Sequence, residues 1–145
     1  MDFTDYDTRL AAYAALVDDR DRILLGWFNG NDHSAACWTM PGGGVDFDQS
    51  AQDAVVRELF EETGYVVEVG RPLTVHHFTD PVGFRGGRPF KSLRVVFDAT
   101  ITGGRLGTTE VGGTTDYAEW VPIAAVPTLE ARADIVDVAL AALGR

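Results

Sequence analysis

The stretch Gly42 to Tyr65, GGGVDFDQSAQDAVVRELFEETGY, runs from a glycine turn through an acidic spacer into a segment with both ends of a helix written into it. Ser50-Ala51-Gln52-Asp53 resembles a capping box with Asp53 in place of the usual Glu or Gln, and Gly64 supplies a stop, so a helix is predicted from Ala51 to Thr63. At about 100° per residue, Glu58, Glu61 and Glu62 share one face as an i, i+3, i+4 set. That patch is locally unfavourable, because like charges at these spacings repel and the helix dipole disfavours anions in the last turn. Each effect is worth a few tenths to ~1 kcal/mol, and a bound divalent cation reverses the sign of both. Mg²⁺ takes oxygen ligands and commonly combines one or two carboxylates with substrate phosphates. Arg57, four residues before Glu61, is placed to pair with that carboxylate and fix its rotamer. The plain alternative is a solvated helix face. Composition argues against it: of the acids, fifteen are Asp and seven Glu, and three of those seven fall within five positions. Helix propensity explains Glu over Asp, but not the clustering.

Working outward, Tyr13 to Val17 and Ile23 to Phe28 flank the turn Asp18-Asp19-Arg20-Asp21 and read as a hairpin, with a short strand at Cys37 to Met40. Beyond the helix, strand character resumes at Tyr65 to Val69 and Leu73 to Phe78. Leu93, Val95, Phe97 and Ala99 alternate with Arg94, Val96 and Asp98, so the first set is expected on the better-buried face. Trp120-Val121 suits another short strand. A closing helix is expected from about Leu129 to Leu143, with Ile135, Val138, Ala139 and Ala142 along one side. The glycine-rich stretches at 42 to 44, 83 to 87, 103 to 107 and 112 to 113 read as loops. Strands around two helices without regular alternation indicate a mixed-sheet α/β or α+β fold, read as one domain over residues 1 to 145.

The 145 residues, 46% hydrophobic and 23% charged, suit a chain that buries its own core. Twelve Lys and Arg stand against 22 Asp and Glu, a net charge of -10, so no overall field favours nucleic-acid phosphates or anionic lipid. The longest apolar run, Leu10 to Val17, is eight residues, against ~20 for a membrane span. The acidic start lacks the form of a secretory signal, and the expected location is the cytoplasm. Cys37, the only cysteine, sits in an apolar stretch and is expected to be inert.

The segment Gly43 to Tyr65 resembles the Nudix box, matching it at Gly43, Arg57, Glu58, Leu59, Glu61, Glu62 and Gly64. It departs at Gln49, where the first Glu is expected, and at Tyr65, where an aliphatic residue is usual. Pro41-Gly42-Gly43-Gly44 and Trp120-Val121-Pro122-Ile123 extend the resemblance more weakly. It implies an α/β/α sandwich around a mixed sheet and metal-dependent hydrolysis of a diphosphate bond in a nucleoside diphosphate linked to another moiety. Such a substrate is a nucleotide sugar such as ADP-ribose, a dinucleotide or a nucleoside triphosphate. Glu58, Glu61 and Glu62 would hold Mg²⁺ or Mn²⁺, helped by the Gly42 carbonyl, and the division between ligand and base stays open. Glu110 and Asp116 are candidates for an acidic residue that some members place on a later loop. With the three glutamates present, Gln49 is expected to alter metal affinity rather than abolish the chemistry, and Asp46 and Asp48 restore part of the missing charge. A binding or regulatory module that keeps the helix without turnover is the competing expectation.

Arg85, Arg88 and Lys91 form a basic patch that suits phosphate contact or a solvated turn. His76 and His77 are adjacent on a strand and point to opposite faces, which disfavours joint metal ligation. Phe28, Phe78, Phe84 and Trp120 include base-stacking candidates, although aromatics are more often core. The expected partner is a small nucleotide-type molecule, without membrane or bulk nucleic acid. The oligomeric state stays open, a homodimer included.

Overall fold

The computed structural model describes residues 1–83 and 87–145. In chain order its elements are β1 (Asp7–Ala15), β2 (Arg22–Phe28), β3 (Cys37–Thr39), β4 (Gly42–Gly44), α1 (Ala51–Thr63), β5 (Tyr65–Asp80), β6 (Phe90–Gly104), β7 (Thr115–Pro122), a 3₁₀ turn (Ile123–Thr128) and α2 (Asp134–Ala142). Two sheets form, one of order β4-β1-β6-β5 and one of order β3-β2-β7. The first is mixed, since β1 runs parallel to β6 while the other pairings are antiparallel.

The two helices cover opposite faces, and the side-chain period of two sorts the core accordingly. Ala11, Tyr13 and Ala15 of β1 pack with Ile23, Leu25 and Val96 under Ile135, Val136 and Ala139 of α2. Ala12, Ala14 and Leu16 pack with Leu24 and Phe97 under Val55 and Leu59 of α1. A strand covered on both sides reads as one apolar run, and Ala11 to Ala15 is buried throughout. The expected α/β/α arrangement is present.

The expected hairpin is only partly formed. Asp18 Oδ1 accepts from the Arg20 and Arg22 amides at 3.0 and 2.9 Å, and Leu24 N bonds Leu16 O at 3.0 Å. Past this turn the strands part, β1 pairing with β6 and β4, and β2 with β3 and β7. Apolarity and turn chemistry report the reversal but not the partner taken beyond it. The two predicted strands after α1 are a single β5 with irregular register around Pro72. Gly42 to Gly44, expected as a loop, pairs with β1 as an edge strand.

Two further expectations are corrected. In β6 the fully buried run at the start is Ser92, Arg94 and Val96, on the face turned to α2, rather than Leu93 and Val95. Arg94 can lie there because Asp134, at the start of α2, holds it with two hydrogen bonds of 2.9 Å. The closing helix starts at Asp134 instead of Leu129, because the backbone just before it is taken by β3: Trp38 N bonds Ala131 O at 2.9 Å and Ala133 N bonds Trp38 O at 2.8 Å. Its buried stripe is Ile135, Val136, Ala139 and Leu140.

Candidate active site

Helix α1 has the predicted bounds. Ser50 Oγ accepts from Asp53 N at 3.0 Å, and Gly64, left-handed at φ 79°, donates its amide to Phe60 O at 3.0 Å. Leu59 and Val55 face the sheet, which turns Glu58, Glu61 and Glu62 toward β4 and the segment ahead of β7.

That segment completes the site. The last turn of a helix leaves its carbonyls without intrahelical partners. Here Gly107 N bonds Thr63 O at 2.9 Å, Thr108 Oγ1 bonds Glu62 O at 3.1 Å, and Thr109 Oγ1 bonds Phe60 O at 3.0 Å. The amides of Thr109 and Glu110 both donate to Glu61 O, at 2.9 and 3.2 Å. This docking brings the Glu110 side chain to Glu61, so the cleft is lined by four glutamates together with Thr108 and Thr115.

On the other side stands β4. Gly42, at φ 141°, donates its amide to Glu62 Oε2 at 3.0 Å, and a Cβ there would collide with Ala12 O and Tyr13 Cα. A Cβ on Gly43 would stand 2.9 Å from Glu58 Oε1. The glycines are therefore what lets a strand edge approach the carboxylates.

Arg57 is the cation against this cluster. Its Nη1 lies 3.2 Å from both Glu58 Oε1 and Glu61 Oε2, and its Nη2 is 3.3 Å from Gln49 Oε1 and 3.7 Å from Asp46 Oδ2. Gln49 thus keeps contact with Arg57 as a neutral acceptor, and Asp46 supplies nearby charge as expected; Asp48 makes no such contact. Burial works against the Arg57 charge but is outweighed by Glu58, Glu61 and Asp46, which raise its pKa. Burial pushes the Glu62 carboxyl well above the usual carboxylate range; Glu58 adds to this, against the opposing pull of the Gly42 amide and Thr115. Glu61 is raised too, by burial and then by Glu58 and Glu110, against Arg57.

The structure therefore gathers Glu58, Glu61, Glu62, Arg57, Gly42 and Glu110. It does not gather Asp116, whose Oδ1 accepts from Asn29 Nδ2 at 3.0 Å, nor Arg88, which bonds Asp7 Oδ1 at 2.9 Å and Thr4 O at 3.0 Å. Phe84 and Arg85 lie outside the described residues. Among the stacking candidates, Trp120 donates to Tyr65 Oη at 3.2 Å and Phe78 lies under Arg94, 5.0 Å from its guanidinium carbon. Tyr65 therefore bonds as well as packs. His76 Nδ1 stands 2.6 Å from Arg94 Nη2. Thr108 and Thr109 were missed, since a hydroxyl that binds a helix carbonyl has no spacing signature.

Among the described residues no three or more His, Cys, Asp or Glu side chains already form a metal cage. The reason is visible: Glu62 is turned onto the Gly42 amide, while Glu58 and Glu61 are turned onto Arg57. The donor set nevertheless suits a hard divalent cation, with four carboxylates in one cleft, two of them raised in pKa.

A family model described as NUDIX domain matches residues 7–140. An ADP-ribose pyrophosphatase of Methanocaldococcus jannaschii is 29% identical over 120 residues, covering 81% of this chain and 64% of that protein. Across the first curated relatives, the chain spans between 47% and 64% of their length. Among solved structures, a MutT protein from Methanosarcina mazei Go1 aligns with TM-score 0.73 at 22% identity, covering 97% of this chain and 96% of that one. An ADP-ribose pyrophosphatase from Streptococcus suis 89-1591 aligns with TM-score 0.64 at 26% identity, covering 94% and 92%. With a mixed sheet between two helices and the glutamate cleft at the end of α1, the chain belongs to the NUDIX domain family.

Proposed function

We propose that this protein is a metal-dependent pyrophosphohydrolase that cleaves a diphosphate bond in a nucleoside diphosphate linked to another moiety. The observation that carries the reading is the convergence of Glu58, Glu61, Glu62 and Glu110 on one cleft with Arg57 as the nearby cation. Glu58, Glu61 and Glu62 would hold Mg²⁺ or Mn²⁺, with the Gly42 carbonyl and Glu110 as further oxygen donors. When bound, the ion neutralises phosphate oxygens and acidifies the attacking water.

The chain's own residues prepare the cleft. Arg57 bridges Glu58 and Glu61 and fixes both rotamers. The Gly42 amide orients Glu62, and the 107–110 segment seats Glu110. Gln49 contributes an acceptor to Arg57 in place of a charge. Asp116 and Arg88 have no part in this cleft as proposed. The setting is the cytoplasm; among the described residues, no helix is long and apolar enough to cross a membrane.

The test is a panel of ADP-ribose, dinucleotides, nucleotide sugars and nucleoside triphosphates, assayed with and without Mg²⁺. The expected result is ion-dependent release of nucleoside monophosphate, reduced ~100-fold or more in Glu61→Gln and Glu62→Gln. Turnover that ignores the divalent ion, or survives in both variants, overturns the reading. Nucleotide binding without turnover by the wild-type chain would instead favour a binding module.

A further inference from the structure

Outside the glutamate cleft the chain forms a cavity of about 690 Å³, lined by residues that include Tyr6, Arg9, Gly44, Asp46, Arg88 and Phe90. That volume falls within the range of small-molecule sites. The cavity and the cleft share β4. Gly43 turns its side-chain position toward the Glu58 carboxylate, and Gly44 turns its own toward the Arg9 guanidinium, whose Nη2 lies 3.6 Å from where a Cβ would be. Successive strand residues face opposite ways, so carboxylate and guanidinium flank one strand, separated by on the order of 10 Å. Because β4 is at the edge of its sheet, a ligand can reach round it.

The cavity lining carries two aspartates, Asp7 and Asp46, against two arginines, Arg9 and Arg88, but neither aspartate is paired with Arg9. Asp7 is bound by Arg88 at 2.9 Å, and Asp46 lies 3.7 Å from Arg57. Arg9 makes no hydrogen bond or ion pair with any described residue, in a chain with 22 acids to twelve Lys and Arg. Gly44 leaves open the space beside it, and the Lys91 ammonium lies 5.7 Å from the centroid of the Tyr6 ring. A planar guanidinium with free donors at the wall of a nucleotide-sized cavity suits a phosphate group.

We propose that Arg9 forms a second anion subsite, which binds a phosphate on the part of the substrate remote from the cleaved diphosphate. This rests on the pyrophosphohydrolase reading of the neighbouring cleft. It makes a diphosphate substrate carrying an additional phosphate monoester the preferred class over its unphosphorylated counterpart.

NADPH and NADH differ by one such group and serve as probes. Calorimetric binding of each to the whole chain, with and without Mg²⁺, is compared in wild type, Arg9→Ala and Arg9→Lys, with hydrolysis measured in parallel. Wild type is expected to bind NADPH roughly fivefold more tightly than NADH, the equivalent of about 1 kcal/mol. Arg9→Ala abolishes the preference and Arg9→Lys keeps part of it. An equal preference in wild type and Arg9→Ala, or no preference in wild type, overturns the subsite. If NADH and NADPH are hydrolysed without any preference, the subsite fails while the hydrolase reading stands. An Arg9-dependent preference in a chain that hydrolyses nothing in the panel leaves the subsite standing and sinks the hydrolase reading.

Discussion

Glu62, in the last turn of α1, accepts a hydrogen bond from the amide of Gly42 at 3.0 Å, across 20 positions of sequence. One strand edge and one helix end are thereby joined at the most deeply buried carboxylate of the cleft, and the titration of that carboxylate is tied to folding.

Because burial raises the Glu62 pKa above 4.5, the folded chain holds a proton there that the unfolded chain releases. Without divalent ions this contribution to stability is complete below pH 4.5 and is lost as pH rises through the folded value; Glu61 acts in the same direction. Thermal melts from pH 4.5 to 8 in chelator should show a steeper fall for wild type than for Glu62→Gln. Parallel curves would contradict the burial argument.

Divalent ions should reverse that trend. Ligand carboxylates must be ionised, so protons and metal compete for the same oxygens. Mg²⁺ or Mn²⁺ at about 100 times its dissociation constant should add ~2.7 kcal/mol to stability. At one fixed ion concentration, chosen from the dissociation constant at pH 8, the rise in Tm should be larger at pH 8 than at pH 5, and an equal rise at both would place the ion elsewhere.

Thr108 Oγ1 contacts both Glu62 O at 3.1 Å and Asp116 O at 3.3 Å, fastening the helix end to β7. Thr108→Val keeps the shape and removes the hydroxyl, at an expected cost of about 1 kcal/mol in denaturant unfolding. Divalent-ion affinity should fall with it. Stability lost without any change in ion affinity would make Thr108 purely structural.

Asp134→Ala leaves the buried Arg94 guanidinium without its carboxylate. Breaking a buried pair from one side costs ~3–5 kcal/mol, and the exposure of Asp134 reduces this to about 2 kcal/mol. The hydrogen bonds from Arg94 hold the Asp134 pKa below 3.8, so the pair's contribution is complete above 3.8 and fades as pH falls through the folded value. Chemical unfolding of the wild type and variant at pH 7 and pH 3 checks both statements.

Helix α1 was legible because everything that sets it is local: Ser50 at one end, Gly64 at the other, and the buried Leu59 on the face beside the glutamates. Its three carboxylates followed from the 3.6-residue period alone. The separation of β1 from β2 was not legible, since an apolar strand next to a tight turn reads the same whichever neighbour it takes. Nor was the buried face of β6, where the charge of Arg94 depends on an aspartate 40 positions away. Glu110 and Asp116 looked equivalent in sequence. Glu110 was selected by backbone bonds to the helix end, while Asn29 took the side chain of Asp116. Arg9 gave no signal at all, because its setting depends on a glycine 35 positions on.

The 107–110 segment holds the helix end through the amides of Gly107, Thr109 and Glu110 and the hydroxyls of Thr108 and Thr109. These contacts are too interdependent to open singly, so the three amides should share one opening free energy, read as a common protection factor against exchange with solvent deuterium. Occupancy of the glutamate cleft should slow all three by one factor, making this short run of backbone a gauge of ligand that needs no enzymatic assay.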